Sequence, residues 1–237
     1  MRAPKALAAA AAALWLAESA HANLLLDIAA HRADILYLSV QHMKLVAASG
    51  LLALIVAVPL GIWMSRPAQR SVAQGVLQVL NIGQAVPKLA LLALAMGFLG
   101  LGAPSAIFGL WVATLLPVVI NTYEGLLAVP QPLLEAAEGM GMTPSQILWR
   151  VELPNALYVI FAGIRTALAI NVGTAPLAFL IGGGGLGELI FTGIDLNDMA
   201  MMLAGAIPTA LLAVSVDLFC GQLQYWLVSR GVHPQRA

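Results

Sequence analysis

The sequence predicts an all-helical, polytopic membrane protein: a bundle with five core transmembrane helices. Of its 237 residues, 61% are hydrophobic and only 9% are charged, whereas a soluble domain carries about 25% charged residues. The chain also contains five long apolar runs, and a helix needs about 20 apolar residues to cross the hydrocarbon core of a bilayer. Composition and run length therefore both argue against a soluble globular domain.

The charges and the metal-ligand residue types exclude several function classes. The 11 basic and 11 acidic side chains cancel to a net charge of +0, so no basic field draws the protein onto nucleic acid. A single cysteine, Cys220, cannot form an intrachain disulfide. No histidine is spaced from another histidine or a cysteine as metal ligands are. We therefore expect no metal, no bound cofactor and no nucleic-acid partner.

The N-terminal segment has two interpretations. Two basic residues precede an apolar block over 6–17, and Ala20-His21-Ala22 then resembles a cleavage site. Residues 1–22 are either a signal peptide or an extra N-terminal helix, and residues 23–237 form one membrane domain. Both alternatives place residues 27–44 outside the cytoplasm.

The five predicted spans are oriented by the basic residues between them. The spans run over 45–66, 71–103, 105–123, 155–187 and 199–229. Basic residues lie between spans one and two, between spans three and four, and after span five, at Arg66, Arg70, Arg150, Arg230 and Arg236. The positive-inside rule places these three regions in the cytoplasm. The opposite side receives an uncharged turn at 100–104 and an acidic loop around Asp195.

Span two carries a polar stripe and a predicted break. Amide and hydroxyl side chains recur every three or four residues, at Ser71, Gln74, Gln78, Asn81 and Gln84. Such side chains are costly in hydrocarbon, so the stripe faces a bundle interior or a translocation path; helix–helix contact and a first half at the cytoplasmic surface are the alternatives. Pro87 lacks an N–H and should kink or break the span. Gln78, Asn81, Gln84, Pro87 and Lys88 are the candidate translocation-path residues.

A polar loop over 124–154 separates spans three and four. Pro132 suits the first turn of a helix, and Gly139 and Gly141 let the chain turn. Thr143-Pro144-Ser145-Gln146 then has the pattern of a capping box that starts a second helix, and Leu153-Pro154 should end this helix and start span four. The apolar residues of both short helices need a partner surface, and the alternative is that they only cap the bundle.

The spacing within this loop favours a specific function. Glu135-Ala136-Ala137, three residues, Gly141, nine residues and Val151-Glu152-Leu153-Pro154 resemble the EAA loop of bacterial ABC-importer permeases, with valine where isoleucine is usual. The resemblance implies a MetI-like permease fold in which the loop at 130–154 docks onto a separate ATPase subunit. Glu135, Ala136, Ala137, Gly141, Val151, Leu153 and Pro154 are the coupling residues that it implies.

A second resemblance narrows the family. Gln84-Ala85-Val86-Pro87-Lys88-Leu89-Ala90, the stretch 162–168, and 181–190 with 203–208 are similar to permeases that import glycine betaine, carnitine or choline. Lys88 departs from the pattern, since a small residue is commoner there. The resemblance covers residues 40–229 and implies an osmoprotectant permease of the bacterial inner membrane, with a substrate-binding protein and a second permease chain, identical or not, as partners.

The remaining motifs support transport over catalysis. The glycine run Gly182, Gly183, Gly184, Gly185 and Gly187 lacks the Lys-Ser/Thr of a phosphate loop, and we interpret it as a gate-side loop; a flexible connection is the alternative. ATP and Mg therefore belong to the partner ATPase, and this chain is not an enzyme. Asp217 is expected to pair with Arg165 or Lys88. A permease for methionine or another small metabolite, and an ATP-independent secondary transporter, remain the alternative functions.

Overall fold

The computed structural model describes residues 24–228, and every regular element in that range is helical. A short helical stretch over 24–30 precedes nine α-helices. They are α1 (Arg32–Met64), α2 (Arg70–Ala85), α3 (Lys88–Leu99), α4 (Ala103–Leu127), α5 (Gln131–Gly139), α6 (Pro144–Ile147), α7 (Leu153–Thr174), α8 (Gly187–Leu196) and α9 (Met199–Leu227). The two alternatives for residues 1–22 lie outside the described residues.

Five spans can be traced through these helices, one of them broken. α1, α4, α9 and the helical segment Pro144–Ile181 are each long and apolar enough to cross a membrane. The fifth span is the pair Pro67–Ala85 and Lys88–Leu99, bent by 102° between α2 and α3. The prediction that Pro87 breaks span two is confirmed, and the described range agrees with the predicted five-helix core.

The helix that contains span one begins well before residue 45 and continues through polar residues that include His42 and Lys44. α1 begins at Arg32 and has 33 residues. His42 is fully buried, and its Nε2 lies 3.1 Å from the carbonyl oxygen of Val172 in α7. Lys44 is exposed on the surface of the same helix. A hydrogen bond and an outward-facing charge therefore let the helix extend past residues that counting charges treats as a boundary.

Helix α4 is the centre of the bundle and packs against α1, α2, α3 and α7. Several of these contacts are so close that only glycine fits. A Cβ on Gly61 of α1 would lie 2.6 Å from Thr122 Cβ, and a Cβ on Gly109 would lie 2.7 Å from a methyl of Leu92. Small residues that let helix backbones approach are typical of membrane bundles.

The two ends of the bundle agree with the predicted sidedness. The backbone N–H of Gly102, between α3 and α4, donates to the carbonyl of Ile181 at 2.9 Å. This contact joins the uncharged turn to the glycine run at one end. At the other end Arg66, just after α1, contacts Glu152 beside Arg150. The basic connections predicted to share one side therefore lie together.

The α4–α7 contact gives a stability prediction. A Cβ on Gly163 of α7 would overlap the side chain of Asn121 in α4, whereas a Cβ on Gly173 of the same helix has nothing within 4 Å. We expect Gly163→Ala to destabilise the protein by about 1–3 kcal/mol, the usual range for overpacking. Heating detergent-purified protein and measuring the fraction that stays monodisperse tests this. Gly173→Ala is the matched control, and equal stability of the two variants would contradict the packing.

Candidate functional site

The loop between α4 and α7 contains a helix ended by a complete Schellman motif. The N–H of Gly141 donates to Glu138 O at 2.8 Å, and the N–H of Met142 donates to Ala137 O at 3.1 Å. These are the two bonds that define the motif, and its C′ residue takes a left-handed conformation. Gly141 has φ +78°. The spacing from Ala137 to Gly141 is thus the spacing from C3 to C′ at the end of α5.

The second short helix starts as the sequence predicts. The hydroxyl of Thr143 accepts from the N–H of Gln146 at 3.4 Å, and Gln146 Oε1 accepts from the N–H of Thr143 at 2.8 Å. This reciprocal pair is the predicted capping box, which is confirmed. The glycine turn and the capping box fix the direction of α6 relative to α5.

The prediction that Leu153-Pro154 ends this helix is wrong. A π-helical turn over Leu148–Glu152 joins α6 to α7, so the chain stays helical through Pro154. Proline cannot donate a backbone hydrogen bond and its ring clashes with the preceding turn of an α-helix, and the wider π turn relieves this conflict. The Asn155 side chain donates to Val151 O at 2.7 Å. Continuous helical structure, rather than a loop, therefore joins α6 to α7.

An ion pair that sequence reasoning missed ties this loop to α1. Arg66 Nη1 lies 2.8 Å from Glu152 Oε2, and the Glu152 side chain is only 12% exposed. The contact is electrostatic, since this oxygen lacks the alignment of a hydrogen bond. Arg66 also donates to Ser65 Oγ at 2.8 Å and to Ile62 O at 3.3 Å. Because the two partners are far apart along the chain, no local pattern could predict the pair.

The loop has one face on the bundle and one open face. Ala137 is buried, and Leu134, Leu148 and Leu153 pack on a cluster formed by Leu126, Val129, Ala156 and Ile160. On the open face Met140 is 73% exposed and Trp149 is 66% exposed, near exposed Glu135 and Ala136. Large apolar side chains left open beside polar ones are typical of a docking surface.

The polar stripe of α2 lies on the outside of the single chain. Its five residues are all exposed, so the stripe does not face the interior of this bundle. Ala73 is the one buried residue of α2, and it packs toward α4. Gln84 and Lys88 line a cavity of about 190 Å³ at the break, against Val112 and Leu116 of α4. The structure therefore brings the last stripe residue and Lys88 together, while Gln78 and Asn81 lie open on the surface.

The glycine run is a close-packed turn rather than a flexible connection. Gly182, Gly184 and Gly185 have φ between +75° and +87°, a region that favours glycine. The N–H of Gly185 donates to Gln41 Oε1 of α1 at 3.1 Å. A Cβ on Gly183 would lie 2.7 Å from Ala106. Gly187 is not in the loop, because it is the first residue of α8, where an added Cβ would overlap a backbone carbonyl.

Asp217 pairs with Arg165, which is one of the two partners predicted for it. Arg165 Nε and Nη2 donate to the two carboxylate oxygens of Asp217 at 3.0 and 2.8 Å. Gln224, which sequence reasoning missed, accepts from Nη1 at 3.4 Å and donates to the carbonyl of Tyr158 at 3.1 Å. This network joins α7 to α9 and lines a cavity of about 310 Å³. The prediction of an Arg165–Asp217 pair is confirmed.

Comparison with known proteins identifies the fold. The methionine ABC transporter MetNI, in an inward-facing crystal form, contains a chain that superposes with a TM-score of 0.73 at 23% identity, covering 82% of this chain and 97% of that chain. Within residues 24–228 no group of three His, Cys, Asp or Glu side chains could hold a metal ion.

Curated relatives are more similar in sequence. An osmoprotectant import permease protein of Salmonella typhimurium is 54% identical over 79% of this chain and 80% of its own length. A glycine betaine/carnitine/choline transport system permease protein of Bacillus subtilis is 44% identical over 78% of this chain and 80% of its own. Residues 57–230 match the family described as binding-protein-dependent transport system inner membrane component. The chain belongs to this family of inner-membrane transport permeases and is a transport component, not an enzyme.

Proposed function

We propose that this chain is the permease subunit of an ATP-driven importer that moves glycine betaine, choline or a related osmoprotectant into the cytoplasm. The names of its relatives support the substrate class. The observation that carries the mechanism is the loop over 130–154, whose inner face packs on the bundle while its outer face stays open. A binding protein outside the cell delivers the substrate, and a second permease chain, identical or not, completes the path.

In this mechanism the open face of the loop docks onto an ATPase subunit that holds ATP and Mg. Glu135, Ala136 and the exposed Met140 present the docking surface, and Gly141 fixes its shape. Val151, Leu153 and Pro154 form the rigid continuation into α7, and Ala137 anchors α5 against the bundle. ATP-driven closure of the ATPase stabilises one state of the permease over another, which is how binding at one site acts at a distance.

The remaining predicted site residues belong to the membrane path. Gln78, Asn81 and Gln84 line the side of α2 that a second chain covers, and Pro87 with Lys88 forms the break at which the path changes direction. Gly182, Gly183, Gly184 and Gly185 form a tight turn at the outer end, held by Gln41. This turn is the gate-side element, because its contacts must shift when α1 moves.

Uptake of labelled substrates tests the function. In cells at high salt we expect deletion of this chain to abolish glycine betaine or choline uptake and to leave methionine uptake unchanged. Deletion of the partner ATPase should give the same loss. Loss of methionine uptake alone would show that the substrate is methionine rather than an osmoprotectant. Uptake that survives ATPase deletion would identify a secondary transporter.

Gly141 tests the coupling loop. A β-branched residue is an outlier in the left-handed conformation, which costs a non-glycine residue about 1–2 kcal/mol, so Gly141→Val should distort the end of α5. We expect ATPase-dependent uptake to fall at least about tenfold, with the ATPase no longer co-purifying. Gly139→Ala is the matched control, since a Cβ on either glycine would have no neighbour within 4 Å. Normal uptake by Gly141→Val would show that the loop does not couple.

The Arg66–Glu152 pair tests how the loop is tied to α1. Glu152→Gln leaves the charge of Arg66 without its partner in a partly buried position, and removal of one member of such a pair is destabilising. We expect uptake to fall severalfold while the ATPase still co-purifies, and the swap Arg66→Glu with Glu152→Arg to recover part of it. Glu138→Gln, at an exposed acid of the same loop, is the control. A Glu152→Gln variant with full uptake would exclude a role for the pair.

A further inference from the structure

Lys88 places a positive charge near mid-depth in the bundle. It is the first residue of α3, and its side chain lines the cavity of about 190 Å³ that also touches Val112, Ala113 and Leu116 of α4. These three residues lie in the middle of the 25-residue helix Ala103–Leu127. The charge is therefore far from both ends of the span, at the break in the helix.

This charge has no counter-charge in the part of the chain that the structure describes. The ion pairs within residues 24–228 are His31–Asp34, Arg66–Glu152 and Arg165–Asp217. Asp217 was predicted to pair with Arg165 or Lys88. Arg165 donates hydrogen bonds to both of its carboxylate oxygens. An ionisable side chain within a membrane span is costly unless it meets a partner or water. Lys88 therefore meets either water or a group that lies outside residues 24–228 of this chain.

The cavity around Lys88 combines one charged corner with apolar walls. Besides the ammonium group, Gln84 is the only other lining side chain that can donate a hydrogen bond. The walls are formed by valine, leucine, alanine and glycine, at Val79, Leu80, Gly83, Leu91, Val112, Ala113 and Leu116. A carboxylate at the charged corner would accept charge-assisted hydrogen bonds, which are the stronger kind. Methyl groups on the same molecule would contact the apolar walls.

We propose that Lys88 and Gln84 form a transit site for the carboxylate of a zwitterionic osmoprotectant. The inference rests on the proposed function and narrows its substrate class. Glycine betaine and carnitine carry a carboxylate together with a trimethylammonium group, whereas choline carries the trimethylammonium group alone. The Lys88 ammonium therefore attracts the carboxylate of glycine betaine or carnitine at this point of the path and repels choline. Such repulsion is a common source of specificity. The site distinguishes carboxylate-bearing substrates from choline after the binding protein has released them.

Transport by the reconstituted complex tests the site. Permease, ATPase and binding protein are placed in proteoliposomes, and uptake of labelled glycine betaine and choline is measured together with ATP hydrolysis. For Lys88→Gln we expect betaine uptake per ATP hydrolysed to fall about tenfold, the factor of a lost charged contact, while choline uptake is unchanged or rises. Lys88→Arg should keep the betaine rate. Lys44→Gln, which removes an exposed lysine from α1, is the matched control.

Several results would overturn the proposed carboxylate site at Lys88. Unchanged betaine uptake by Lys88→Gln, an equal loss of betaine and choline uptake, or a wild-type complex that moves choline alone would overturn the carboxylate site. Loss of the permease dimer in Lys88→Gln, measured by size-exclusion chromatography, would show that the counter-charge is an acid of the second chain and would overturn it also. If the wild-type complex moves neither substrate, the proposed function fails instead.

Discussion

Close contact between helices through glycine is the constraint on which this bundle depends. Lipid is as apolar as leucine, so no hydrophobic force drives apolar helices together within the membrane. Dispersion between closely packed surfaces must supply the cohesion, and it is lost when a gap opens. Gly61 against Thr122 brings α1 onto α4, and Gly163 against Asn121 brings α7 onto the same helix. Helix α4 is thus held on two sides by contacts that tolerate no added methyl group.

A few polar contacts connect this packed core to the loop over 130–154 and to the glycine turn. Glu152 holds the loop over 130–154 to the end of α1, and Gln41 holds the other half of α1 to the glycine turn. One rigid helix therefore contacts the loop at one end of the bundle and the turn at the other. Because the π turn joins α6 to α7 without a break, the loop is continuous with α7 and is also held to α1 by the ion pair. The two ends of the protein are connected by helices, which do not stretch.

Local signals predicted more of this structure than long-range ones did. The capping box at Thr143 and the break at Pro87 depend on a few neighbouring residues, so the sequence is enough to locate them. The end of the helix at Pro154 was misjudged because a π turn overrides the local preference, and α1 begins before span one because its buried His42 is hydrogen-bonded. Arg66 and Glu152 are far apart along the chain, and no periodicity links them. The Arg165–Asp217 pair could be expected only because charged residues in spans are so few.

The surface of α2 carries polar side chains that the described part of this chain leaves uncovered. Its residues fall on three faces: Ala73 and Leu80 toward α4, Val72 and Val79 on an exposed apolar face, and Gln78 and Asn81 on an exposed amide face. The apolar face needs no hydrogen-bond partner. The amide face does, because primary amides in hydrocarbon lose hydrogen bonds that neither lipid nor the helix backbone can replace. Only protein or water can cover it, and in the proposed importer a second permease chain against α2 would supply both by enclosing an aqueous path between the two subunits.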